Sequence, residues 1–105
     1  MKYLFITQPD PGVLSRLEQD PHGTTRFFEQ LTQRFHPEMA YQSVGAKLTF
    51  LVVDLQDPAE LAELASLLTT TYLVYPDVYP VTTLQEYQQM LQRLSRAIGA
   101  ARPAA

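Results

Sequence analysis

Tyr3, Tyr41, Tyr75 and Tyr79 bring phenol hydroxyls to segments with strand character, and Glu38, Asp54 and Asp77 bring carboxylates. A phenol can donate and accept a hydrogen bond, whereas a carboxylate only accepts. One of each around a common apolar volume can therefore hold a small molecule with a carbonyl or hydroxyl group. A carboxylate buried beside aromatic rings also has its pKa raised and can carry a proton between the carbons of an enolisable substrate, which is isomerase chemistry. Tyr3, Phe50, Asp54, Tyr75 and Tyr79 form the ligand-contacting set that this reading selects. The plainer reading makes them structural: each ring buries itself in a sheet with its hydroxyl at the rim, and Asp54 bonds backbone near the end of its strand. Spacing alone assigns no catalytic residue.

Other chemistries have less to work with. The chain has no cysteine, which removes disulfides, thiolate nucleophiles and every metal site built on sulfur. Of the two histidines, His36 follows Phe35 at a helix end, where an imidazolium complements the dipole, and His22 sits in the loop-like run Pro21-His22-Gly23. With no second histidine at ligand spacing, no metal site is expected. No glycine-rich turn stands between a strand and a helix to cradle a nucleotide, and Ser15, Ser43, Ser66 and Ser95 occupy no nucleophile elbow. The reading therefore expects no cofactor.

The net charge is −3, and the eight Lys and Arg are scattered from Lys2 to Arg102, so no electropositive stripe awaits a phosphate backbone. Nucleic acid is not an expected partner, and the six tyrosines and five phenylalanines read as core and sheet surface, not as base-stacking platforms. Met1 is followed by a short mixed stretch and Pro9-Asp10-Pro11-Gly12, without a basic n-region, an apolar h-region or a run long enough to span a bilayer. The expectation is a soluble, unprocessed, cytoplasmic chain of one domain.

The positioning elements follow from periodicity. Lys47 to Leu68 combines a run of apolar residues at both parities, Leu48 to Leu55, with the helix start Asp57-Pro58-Ala59-Glu60 and the stripe Leu61, Leu64, Leu68. Lys2 to Gln8 alternates as a strand and is stopped by Pro9. Residues 11–35 read as two helical pieces broken at Asp20-Pro21-His22-Gly23, the second starting near Thr24 or Thr25 and carrying Phe27, Phe28, Leu31 and Phe35. His36-Pro37 ends it. Glu38 to Val44 and the Leu48 run form an antiparallel hairpin through Gly45-Ala46. Thr69-Thr70-Thr71 leads into Tyr72 to Val81, an edge or bulged strand on account of Pro76 and Pro80. Thr83-Leu84-Gln85-Glu86 has capping-box form and opens a helix to about Ile98, with Gly99 as its stop and residues 100–105 as a frayed tail.

This order is the α+β, ferredoxin-like βαββαβ plan: a four-stranded antiparallel sheet with helices on one face, core 1–82, plus an appended C-terminal helix, 83–98, in a single domain 1–99. Through Phe50-Leu51-Val52-Val53-Asp54-Leu55-Gln56-Asp57-Pro58-Ala59-Glu60-Leu61 and Val78-Tyr79-Pro80-Val81, residues 1–82 resemble the dimeric α/β-barrel superfamily, most closely its muconolactone-isomerase-like branch. The resemblance implies two sheets packed face to face and small, aromatic or lactone-like ligands. It also brings a haem- or metal-ligand role for His36 into consideration beside the capping role. None of the family's catalytic motifs transfers residue by residue.

Alternation assigns Leu4, Ile6, Leu51, Val53 and Leu55 to one sheet face and Tyr3, Phe5, Phe50, Val52, Tyr75 and Tyr79 to the other. The second set is too apolar to leave wet, and either a second copy or the C-terminal helix can cover it. Leu84, Tyr87, Leu91, Leu94 and Ile98 make a narrow seam that suits docking on its own domain and pairing with another helix equally well. Two functions fit: a homo-oligomer, a dimer or multiple of dimers, binding a small apolar or aromatic molecule on its sheet face with isomerase-like proton transfer; or a non-catalytic assembly module using that face and the last helix.

Overall fold

Asp10, Asp20 and Asp57 each precede a proline, and each starts a helix. Their carboxylates accept from the backbone N–H groups of Gly12 (3.1 Å), Gly23 (3.0 Å) and Glu60 (2.9 Å), while the prolines occupy the first helical turn, where their missing N–H costs nothing. In the computed structural model, which describes residues 1–45 and 47–101, the elements are β1 (Lys2–Thr7), α1 (Pro11–Gln19), α2 (Pro21–Phe35), β2 (Met39–Gln42), β3 (Thr49–Asp54), α3 (Pro58–Tyr72), β4 (Asp77–Val81) and α4 (Leu84–Ala101). Asp20-Pro21-His22-Gly23, read from sequence as a break, is thus the first turn of α2, with Gly23 kept small because a Cβ there would run into the Asp20 carboxylate. Ala46 of the hairpin connection and residues 102–105 of the expected tail lie outside the described residues.

The sheet is four-stranded in the order β2-β3-β1-β4, with every neighbouring pair antiparallel. The β2–β3 pair forms the expected hairpin, and the α1–α2 and α3 connections each return the chain one strand beyond its neighbour. β4 is an edge strand, where Pro80 is tolerated. The architecture is α+β, with an antiparallel sheet and four helices.

α1, α2 and α3 share one core. Leu31 and Phe35 of α2 and Leu64, Leu68 and Tyr72 of α3 close over Phe5, Leu51, Val53 and Leu55, and Leu17 of α1 packs at the margin. The register shows which strand residues face them: Tyr3 pairs with Val53, Phe5 with Leu51 and Thr7 with Thr49, and in antiparallel pairs opposed residues point to the same side. This corrects the alternation argument, which grouped Tyr3 and Phe5 with Phe50 and Val52; Leu4 and Ile6 belong there instead.

Two element ends also differ from expectation. α3 runs through Thr69-Thr70-Thr71 to Tyr72, so Tyr72 closes a helix and does not open a strand; its ring is 2% exposed in the core. Helical interior packing outweighs the β-propensity of Thr and Tyr there. α4 passes through Gly99 to Ala101, because glycine lowers helix stability without halting a helix when Ala-Ala follows and no left-handed turn is formed. No helix among the described residues is long and apolar enough to cross a membrane.

Candidate functional site

The sheet side away from α1–α3 carries rows of side chains fixed by the register. Met39, Val52, Leu4 and Tyr79 form one row across all four strands, and Tyr41, Phe50, Ile6 and Asp77 form the next. Asp54, Lys2 and Val81 make a third at the sheet's end. Leu4, Ile6, Phe50 and Val52 are half-buried, whereas Tyr41 and Tyr79 are 67% and 51% exposed. The surface therefore has an apolar centre and a charged rim.

Of the five residues selected from sequence, Phe50, Asp54 and Tyr79 share this face. Tyr3 lies on the helix side, packed against the core, and Tyr75 precedes β4 outside any strand, 83% exposed. The five therefore do not surround one volume. The Asp54 carboxylate accepts from the N-terminal ammonium of Met1 at 3.0 Å and is about half exposed; its row offers a lysine and a valine but no phenol. Lys2 Nζ meets Glu38 at 3.1 Å, and the hydrogen bond and charge of that carboxylate raise the lysine pKa. The acid–base pair that isomerase chemistry needs is not assembled by Asp54 and Tyr79, which stand in different rows.

α4 begins at the expected cap, with Glu86 N–H donating to Thr83 Oγ1 at 3.1 Å, but the reciprocal half of the capping box is replaced: the Glu86 carboxylate accepts from the Thr82 hydroxyl at 2.8 Å. No residue of the helix is buried. Leu84, Tyr87, Leu91, Leu94 and Ile98, with Met90 beside them, are between 46% and 82% exposed. The seam is thus not docked on its own domain, and α4 does not cover the sheet. The molecule extends 67 × 26 × 21 Å with a radius of gyration of 18.3 Å, against about 13 Å for a globular chain of about 100 residues.

His36 ends α2 in the left-handed region (φ 49°), its N–H donating to Thr32 O at 2.9 Å. Among the described residues no group of three or more His, Asp or Glu could hold a metal ion. Sequence reasoning missed Leu4, Ile6 and Met39 as members of the open face, and only strand pairing identifies them. No protein-family model matches the chain, and no curated protein matches it.

Proposed function

We propose that this chain is an assembly module that pairs with a second copy of itself, burying the open sheet face and the α4 seam. The observation that carries this reading is α4, an 18-residue helix with a continuous apolar stripe and no buried residue. In proteins most helical stability comes from packing an amphipathic face, and the apolar face of this helix is left unburied by its own chain. In heptad terms Leu84, Leu91 and Ile98 fall at a and Tyr87 and Leu94 at d, while the flanking e and g positions hold Gln88, Met90, Ser95 and Ala97. No like charges flank the seam to repel an identical helix. Together with the open face, the seam offers apolar surface for a partner copy to bury.

Strand order and the two crossovers support the ferredoxin-like βαββαβ plan, and with it the resemblance to the dimeric α/β-barrel superfamily, in which such sheets face each other. A reducing compartment such as the cytoplasm suits a chain without cysteine. A second reading draws on Phe50 and Tyr79 sharing one face: once roofed by a partner sheet, they would hold a small apolar or aromatic molecule.

Sedimentation equilibrium over the micromolar range tests the assembly. The expected mass is that of a dimer or a multiple of dimers, falling to one chain in Leu94→Glu; a wild-type monomer throughout the range overturns the proposal. A bound small molecule against Phe50 and Tyr79 in a crystal of the assembly would decide for the second reading, and side chains filling that space for the first.

A further inference from the structure

A cleft of about 540 Å³ opens on the other side of the sheet, between α1–α2 and the β2–β3 edge. Its origin is legible in residue types. The strand positions facing the helices there are Ala40 and Gln42 on β2 and Thr49 on β3, in register with Leu51 and with each other, where a packed core would place large apolar side chains. Leu14, Leu17, Phe28 and Leu31 supply an apolar wall, but nothing from the strands reaches across to fill the space. Positions that break the packing rule without a local gain are where functional sites are expected.

The inner end is polar. Thr49 Oγ1 donates to Gln42 Oε1, and the Tyr72 hydroxyl lies beside Thr49. Behind this lining, Thr7, paired with Thr49 across the β1–β3 ladder, is 2% exposed, and its hydroxyl has no partner among the described residues, though it does not itself line the cleft. Burial pushes the Tyr72 phenol pKa up, only partly offset by Thr49, so the hydroxyl keeps its proton. The two charged residues lining the cleft, Glu18 and Lys47, are both about half exposed and meet each other at 3.7 Å. They neutralise one another at its mouth, leaving no buried charge to receive an ionic ligand.

We propose that this cleft is a binding site for an uncharged, largely apolar small molecule with one hydrogen-bonding oxygen, its hydrocarbon body against Leu17, Phe28 and Leu31 and its oxygen at Tyr72 and Thr49. The volume falls within the range of small-molecule pockets, roughly 300–1,000 Å³. The site lies across the sheet from the surface proposed for assembly, so the two proposals stand or fall separately.

The test titrates the full chain with 2-naphthol and with naphthalene, each displacing the neutral fluorophore N-phenyl-1-naphthylamine. Expected are one site per chain and a preference for 2-naphthol of about fivefold, the net worth of one hydrogen bond. Tyr72→Phe should erase the preference and retain naphthalene binding. Ala40→Phe, which fills the cleft from a strand position with a strand-favouring side chain, should abolish both, while Leu94→Glu should lower the assembly mass and leave naphthol affinity unchanged. Binding that survives Ala40→Phe, or that disappears in Leu94→Glu, places the probe elsewhere and overturns the proposal. The wild-type chain gives an independent readout by NMR: saturable naphthol-induced shifts at the amides of Thr49, Leu51 and Tyr72 support the site, and no shifts, or shifts confined to residues 84–98, overturn it.

Discussion

Tyr72 ties α3 to α2 through its ring and to β3 through its hydroxyl. Its ring meets Phe27 edge-on, with centroids 6.0 Å apart, and Phe27 in turn meets Phe28 at 5.5 Å, so one aromatic chain links α3 to α2. Its hydroxyl is pushed to a higher pKa by burial, which makes folding pH-dependent in a stated direction. The unfolded phenol ionises near its ordinary value of 10.0, while the folded one holds its proton longer. The stabilising contribution is therefore complete below about pH 10 and is lost as pH rises through the folded pKa. Lys2, raised above 10.5 by Glu38, adds a loss at still higher pH, though its ion pair is largely exposed and its share is small. Urea midpoints should accordingly be level up to about pH 9 and decline above about 10. In Tyr72→Phe the decline should be shallower, and an equal decline would remove Tyr72 as its source.

Among the elements, the helix ends carry the least comfortable backbone. α3 finishes with Leu73 in the left-handed region (φ 58°), its N–H donating to Thr69 O at 2.8 Å. Glycine is the residue this position favours, since a Cβ is penalised there. Leu73 is 61% exposed and gives up little burial when replaced. Leu73→Gly should therefore stabilise the chain by roughly 0.5–1 kcal/mol, offset in part by the freer unfolded state. A lowered melting temperature would mean that the leucine's remaining contacts outweigh the relief. The starts of the same helices need no such repair, because each Asp-Pro pair satisfies an N–H group and presets the first turn.

At the scale of the whole molecule, the sheet divides two environments of different completeness. The helix side holds Phe5, Leu51 and Val53 at 0–2% exposure, while the opposite rows of Leu4, Ile6, Phe50 and Val52 remain only half-buried beside an uncovered α4. Phe50→Asp places a carboxylate amid those rows without touching the core beneath α2 and α3. It should reduce the mass in solution toward one chain or lower the melting temperature, because a buried unpaired carboxylate opposes closure of two apolar faces. Unchanged mass and unchanged melting temperature together would show that this face meets water in the working protein.

Local chemistry was legible from residue order alone: the Asp57-Pro58 helix start, the Thr83 cap, the His36-Pro37 stop, the hairpin of β2 and β3, and Pro80 at an edge. Each depends on neighbours within a few positions, so the chain states it directly. The grouping of Tyr3 and Phe5 with Leu51 and Val53 was not legible, because β1 and β3 are apolar at both parities and only their pairing sets which parity meets the helices. The cleft was likewise silent, since Ala40 is unremarkable until Leu17, Phe28 and Leu31 are brought opposite it from residues far along the chain. Sequence determined the elements and their amphipathic stripes; tertiary structure alone decided which stripes found cover, because burial is a property of pairs of surfaces and not of either one.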